Sequence, residues 1–113
     1  MSGITTHVLD TSRGKPAASV QVRLDRLDSG EWVRLGQSAT DADGRAGALT
    51  PPGGRLEKGV HRLTFDTGSY FRAGGRESFY PEVQIRFEIA DPAQHYHVPL
   101  LLSPFGYSTY RGS

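Results

Sequence analysis

The feature that most constrains the fold is a strict alternation of apolar and polar residues in two separate segments. In residues 82–90 the apolar positions fall two apart, at Val83, Ile85, Phe87 and Ile89. In residues 19–27 they fall two apart as well, at Val20, Val22 and Leu24. A period of two sends neighbouring side chains to opposite faces of a β-strand, so both segments are predicted to be strands with one buried face.

Glycine and proline divide the rest of the chain into short segments. The 14 glycines and 7 prolines are spread over 113 residues, which is typical of many strands joined by turns. Further strands are predicted over residues 4–9, 31–39, 59–66, 95–101 and 107–111, with a turn at 41–45, a loop at 50–54 and a helix at 67–75. We therefore predict an all-β, two-sheet sandwich of seven to eight strands with one short helix, as a single domain over residues 1–113.

Composition excludes several classes of protein. Thirteen basic residues against twelve acidic ones give a net charge of +1, so no broad positive face for nucleic acid is expected. The longest apolar run, residues 98–102, is far shorter than the roughly 20 residues of a membrane-spanning helix. With no signal peptide and no cysteine, we expect a cytoplasmic protein without a membrane partner, disulfides, thiolate catalysis or Cys-based zinc sites.

Two histidines in the predicted strand at residues 95–101 are candidates for chemistry. His95 and His97 are two apart, so both rings project from one face of that strand. With a third ligand such as His7, the pair would suit zinc. Without a metal, an imidazole that titrates near neutral pH suits acid–base catalysis. An ordinary surface pair is the third interpretation, and the residues alone leave all three open.

Two other segments contain candidate binding residues. Arg45 follows Asp43 and Gly44 in the predicted turn, where it either holds a planar anion through paired hydrogen bonds or is solvated. Residues 107–113 (YSTYRGS) combine two tyrosines, an arginine and serines at the C-terminal end. They either line a pocket for a polar planar ligand or form a final edge strand that frays. No function is assigned to His61.

Together, four motifs resemble those of a known family. They are residues 4–10 (ITTHVLD), 43–45 (DGR), 95–104 (HYHVPLLLSP) and 107–113 (YSTYRGS), with a further Gly-Lys-Pro at 14–16. The pattern resembles the 5-hydroxyisourate hydrolases of urate breakdown, in the transthyretin-related family, and it covers essentially the whole chain.

The resemblance implies a fold, a reaction and a site. It implies a transthyretin-type sandwich assembled as a homotetramer around a central channel, acting without cofactor or metal. The implied reaction opens the six-membered ring of 5-hydroxyisourate to give 2-oxo-4-hydroxy-4-carboxy-5-ureidoimidazoline. The implied catalytic residues are His7, Arg45, His97 and Ser113. The implied substrate-binding residues are His7, Arg45, Tyr110, Arg111 and Gly112.

On this interpretation His7 and His97 transfer the proton, and the sequence does not decide which of the two is the base. We expect Arg45 to hold the anion or the oxyanion and Ser113 to orient water or substrate. His95 stays outside the catalytic set. Three alternatives are a non-catalytic carrier of small aromatic ligands, a monomeric interaction module, and a zinc hydrolase at His7, His95 and His97.

Overall fold

The computed structural model describes residues 3–47, 49–50 and 55–113. These residues form nine strands and one helix. The strands are β1 (Gly3–Asp10), β2 (Lys15–Pro16), β3 (Gln21–Asp28), β4 (Glu31–Ala39), β5 (Arg45–Ala46), β6 (Gly59–Phe65), β7 (Val83–Ile89), β8 (His95–Ser103) and β9 (Gly106–Thr109). The helix is α1 (Thr67–Ala73).

The strands form two sheets. In the first sheet the order is β2-β1-β8-β9, and β5 also pairs with β1. In the second sheet the order is β4-β3-β6-β7. The pairing of β1 with β8 is parallel, whereas the other pairings between the described strands are antiparallel. The strand that carries His7 is therefore flanked by the strands that carry Arg45 and His97.

The core lies between the sheets and is built by the alternation seen in the sequence. On β1, Ile4, Thr6 and Val8 are buried, while the residues between them are half-buried on the outward face. The second sheet contributes buried residues that include Val22, Leu24, Leu63, Phe65, Val83 and Ile89. On β1 the alternation is strict, so one set of alternate residues packs in the core and the other set lies on the outer face.

The end of β1 is fixed to the segment after β6 by a buried carboxylate. Asp10 is fully buried and accepts hydrogen bonds from Ser12 Oγ at 2.6 Å, Tyr70 Oη at 2.8 Å and the Arg76 guanidinium at 2.6 Å. Burial alone would raise the pKa of Asp10, but these partners outweigh it and hold the pKa at about 2. The network pins β1 to α1 and so fixes the strand that carries His7.

The predicted all-β sandwich with one short helix is confirmed, and so is the helix near 67–75. The strand number of seven to eight was too low, because β2 and β5 have two residues each and are too short to show alternation. Arg45, expected in a turn, begins β5. The last strand ends at Thr109 instead of residue 111. Residues 51–54 of the expected loop lie outside the described residues.

No helix within the described ranges is long and apolar enough to cross a membrane.

Candidate active site

The candidate site lies on the outward face of the first sheet. Parallel pairing sets Thr5 of β1 opposite His97 of β8, and antiparallel pairing sets His7 opposite Arg45 of β5. Beside them is an open cavity of about 420 Å³. Its lining residues are Thr5, Thr6, Arg45, Ala46, Gly47, His95, His97 and Ser113. Segments far apart in the sequence therefore meet at one surface.

His97 is held on two sides. Its Nδ1 lies 2.8 Å from Thr5 Oγ1. On the other side, the backbone N–H of Gly112 donates to the carbonyl oxygen of His97 at 2.8 Å. A β carbon at Gly112 would lie only 2.6 Å from His97 Cδ2, so no larger residue fits without moving the ring. The C-terminal segment thus packs directly against the imidazole.

The surroundings of His97 favour its neutral form. Partial burial lowers the pKa of His97, and the nearby basic groups His7, His95 and Arg45 lower it further. An uncharged imidazole with Nδ1 in a hydrogen bond has Nε2 left for chemistry. This arrangement suits a general base near neutral pH.

His7 is fixed by the turn that precedes β5. Its Nε2 lies 2.8 Å from the carbonyl oxygen of Asp43. Because a carbonyl oxygen only accepts, Nε2 carries a hydrogen and donates it. The carboxylate of Asp41 holds the turn by accepting from the backbone N–H groups of Asp43 at 2.9 Å and Arg45 at 3.0 Å. His7 is not a lining residue of the cavity itself, but it lies directly beside Arg45.

Arg45 forms no ion pair within residues 3–47, 49–50 and 55–113. The four ion pairs formed within the described ranges all involve other arginines, and Arg45 is exposed. A guanidinium can bind a planar anion through two parallel hydrogen bonds. The cavity therefore combines an anion-binding group with a neutral imidazole.

The C-terminal residues divide between two places. Ser113 lines the cavity, and Gly112 contacts His97. Arg111 turns away: its guanidinium lies 4.4 Å from the centre of the Tyr96 ring and donates to Gln94 Oε1 at 2.9 Å. Tyr110 and Arg111 line a second cavity of about 330 Å³ against β7. Of the expected site residues, the structure separates only these two from the rest.

Sequence reasoning missed Thr5. Its hydroxyl lies 2.9 Å from His95 Nε2 and 2.8 Å from His97 Nδ1, so it touches both histidines of β8. The available signal was its place two residues before His7, on the same strand face. Within the described part of the chain no three His, Cys, Asp or Glu side chains are grouped to hold a metal ion. The alternative of a zinc site at His7, His95 and His97 therefore has no geometric support.

Comparison with known proteins identifies the family. The sequence profile described as HIUase/Transthyretin family matches residues 4–112. The mouse 5-hydroxyisourate hydrolase is 49% identical over 115 aligned residues, which cover 99% of this chain and 96% of the mouse protein. The solved structure of the Klebsiella pneumoniae 5-hydroxyisourate hydrolase has a TM-score of 0.83 at 42% identity, covering 100% of this chain and 94% of that one.

A transthyretin has the same fold. The structure of transthyretin from Sparus aurata gives a TM-score of 0.89 at 32% identity, covering 99% of this chain and 97% of its own. The two-sheet sandwich is thus a transthyretin-like fold. With a profile match over nearly the whole length and relatives of this identity, the chain belongs to the HIUase/Transthyretin family.

Proposed function

We propose that this chain hydrolyses 5-hydroxyisourate to 2-oxo-4-hydroxy-4-carboxy-5-ureidoimidazoline. The observation that carries the proposal is the single cavity that brings Arg45, His97 and Ser113 together, with His7 beside them. The substrate is suggested by the relatives, since the mouse and Klebsiella proteins are both named 5-hydroxyisourate hydrolase. The proposal requires no cofactor.

His97 acts as the general base. Burial and the neighbouring basic groups lower the pKa of His97, which favours the neutral ring. In the tautomer with its hydrogen on Nδ1, Nε2 takes a proton from water while the water oxygen attacks the carbonyl carbon C6 of the substrate. The C6–N1 bond then breaks, and C6 becomes the carboxylate of the product. The sequence left open which of His7 and His97 is the base, and the proposal assigns that role to His97.

His7 protonates the leaving nitrogen, and Arg45 stabilises the oxyanion. The carbonyl oxygen of Asp43 accepts from His7 Nε2, so Nδ1 is the ring nitrogen left to face the substrate when His7 acts as the acid. Nδ1–H of that ring is then available to give its proton to N1. The guanidinium of Arg45, which forms none of the ion pairs found among the described residues, attracts the anionic substrate and the negative charge that develops on the oxygen at C6.

The C-terminal residues complete the site. Ser113 lines the cavity and orients water or substrate, while Gly112 allows the backbone to pack against the His97 ring. Direct substrate binding by Tyr110 and Arg111 stays a prediction. In this chain the stacking of Arg111 on Tyr96 supports an indirect role, in which it holds the C-terminal segment so that Ser113 reaches the cavity.

A homotetramer is also proposed. Phe79, Tyr80 and Tyr107 stack edge to face in succession, yet Phe79 is 69% exposed and Tyr107 43% exposed. Exposed aromatic clusters of this kind are typical of subunit contacts. Light scattering coupled to gel filtration tests the proposal, and a mass of one chain at micromolar concentration would contradict it. The cytoplasmic location stays a prediction.

The main alternative is a carrier of small aromatic ligands. The match to transthyretin favours it, because the TM-score of 0.89 exceeds the 0.83 of the hydrolase structure. Fold alone does not separate the two functions. The site does, because a carrier has no need for a neutral histidine beside an unpaired arginine and tolerates replacement of His97.

The test generates 5-hydroxyisourate with urate oxidase and follows its ultraviolet absorbance with and without this chain. Spontaneous decay gives the baseline. We expect the wild type to accelerate the decay of 5-hydroxyisourate. The catalysed rate of His97→Ala is expected to be lower than that of the wild type by at least about 100-fold. Decay at the spontaneous rate with folded wild type would leave the carrier function as the better account.

A further inference from the structure

One threonine hydroxyl lies between two histidine rings at the candidate site. Thr5 Oγ1 is 2.9 Å from His95 Nε2 and 2.8 Å from His97 Nδ1, both of which are hydrogen-bond distances. Thr5 faces His97 directly across the parallel β1–β8 pair, and His95 lies on the same face two residues before it. The three side chains form a continuous hydrogen-bonded chain that starts at exposed His95 and ends in the cavity.

The number of hydrogens restricts how this chain can be arranged. A hydroxyl has one hydrogen to donate, so Thr5 donates to at most one of the two rings. If Thr5 donates to His97, then Nδ1 is an acceptor and the proton of neutral His97 is on Nε2. If Thr5 donates to His95, then His97 must donate from Nδ1–H, and its Nε2 has a free lone pair.

Of these two arrangements, the second leaves His97 able to take a proton from water at Nε2. We propose that Thr5 and His95 are positioning residues of the hydrolytic site, in which His95 Nε2 accepts from Thr5 and Thr5 accepts from His97 Nδ1–H. His97 is thereby held as the tautomer that acts as a base. This inference rests on the proposed function for its catalytic meaning, but the tautomer itself exists without substrate.

The other groups around His97 do not replace this control. His7 and Arg45 face the ring from β1 and β5, and they act on it through charge. Gly112 contacts the ring at Cδ2, which is carbon and makes no hydrogen bond that selects a tautomer. Among the described residues, Thr5 is the hydrogen-bond partner of a His97 ring nitrogen.

The experiment combines histidine nuclear magnetic resonance with kinetics. Protein with ¹⁵N-labelled histidine is examined at pH 7.5 by long-range ¹H–¹⁵N correlation, which distinguishes a protonated ring nitrogen from an unprotonated one. The variants are Thr5→Val, which removes the hydroxyl at nearly constant volume, Thr5→Ser, which restores it, and His95→Phe. Thr11→Val is the matched control, because Thr11 donates to a backbone carbonyl at 3.1 Å and is not a lining residue of the cavity.

We expect His97 of the wild type to carry its hydrogen on Nδ1 and to lose this signature in Thr5→Val and His95→Phe. In both variants kcat falls by about 10-fold or more while KM changes by less than about 3-fold, because the base is misprotonated and not displaced. Thr5→Ser restores the tautomer and most of the rate, and Thr11→Val matches the wild type in both.

An Nε2–H tautomer of His97 in the wild type would overturn the inference. A Thr5→Val or His95→Phe variant that keeps the wild-type tautomer of His97 and the wild-type kcat would also overturn the inference. If Thr5→Val does not fold, His95→Phe provides the same two measurements, the tautomer of His97 and kcat, because His95 is exposed. An inactive wild type whose His97 is the Nδ1–H tautomer would refute the proposed function while leaving the hydrogen-bond assignment supported.

Discussion

The outward faces of the two sheets both carry arginines, but the neighbours of those arginines differ between the two faces. On the second sheet, Asp25 is almost fully buried and pairs with Arg34 at 3.0 Å and Arg62 at 3.2 Å. The guanidinium of Arg62 also lies 4.1 Å from the centre of the Trp32 ring. On the first sheet, Arg45 has histidines as neighbours and forms none of the ion pairs found in the described ranges.

The difference shows that residue type does not decide the role of an arginine in this chain. A guanidinium that is paired with a carboxylate and stacked on an aromatic ring stabilises the sheet. A guanidinium without a pair, beside a neutral imidazole and a cavity, is available to an anion from solution. This contrast supports the proposal that the outward face of the first sheet carries the hydrolytic site, while that of the second sheet contributes to stability.

The largest expected effect on the first face is that of His97→Ala. We expect kcat to fall by about 100-fold to 10,000-fold, because the general base is removed. The melting temperature should change little, since the ring is only half-buried. Initial rates and thermal unfolding measured on the same sample check both statements. A variant that loses its rate only because it is unfolded would not support the assignment.

The corresponding change on the second face is Asp25→Asn. Removing a buried carboxylate from two arginines is expected to lower the free energy of unfolding by about 2–4 kcal/mol. The rate at 25 °C should stay within about 2-fold of the wild type, since Asp25 is on the other sheet. Urea unfolding and initial rates measure the two quantities. A large loss of kcat in a stably folded variant would break the division between the faces.

A smaller effect is expected from Gly112→Ala. The added β carbon would overlap His97 Cδ2, so the ring or the C-terminal segment must shift. We expect kcat to fall by about 10-fold. Gly106→Ala is the matched control, because its β carbon would meet only Ser103 Oγ at an ordinary 3.7 Å. Equal rates in both variants would show that the packing of Gly112 against the ring is not needed.

The smallest expected effect is on pH dependence. The base His97 is active when unprotonated, so kcat/KM should be full above its pKa and fall as the pH drops through it. Burial and the neighbouring positive groups lower that pKa, which places the acid limb below pH 6.5. Arg45→Gln removes one positive neighbour and should move the limb upward, whereas Arg62→Gln should not move it. An acid limb above pH 7 in the wild type would contradict the assignment.

The sequence predicted what depends on local periodicity. Alternation predicted that His95 and His97 share one face of their strand, and the structure confirms it, because Tyr96 and Val98 are buried on the opposite face. Further along the same strand Leu101 is half-buried, whereas its neighbours Leu100 and Leu102 are buried. These outcomes follow from strand geometry alone.

The sequence could not predict what depends on long-range packing. β2 and β5 exist because β1 offers them unpaired backbone groups, and two residues carry no periodic signal. The direction of Arg111 depends on Tyr96 and Gln94, which lie at least 15 residues away. The role of Thr5 depends on a parallel partner strand at residues 95–103. Threonine is common in strands, so its position alone did not indicate this role.

The most direct test of the contrast between the two faces compares Arg45→Ala with Arg62→Ala in the 5-hydroxyisourate decay assay. We predict that Arg45→Ala lowers kcat/KM by about 100-fold or more with an unchanged melting temperature. Arg62→Ala is predicted to retain the rate within about 2-fold and to lose about 1 kcal/mol of stability. Equal rates for the two variants would contradict the assignment of the first sheet's outward face as the hydrolytic site.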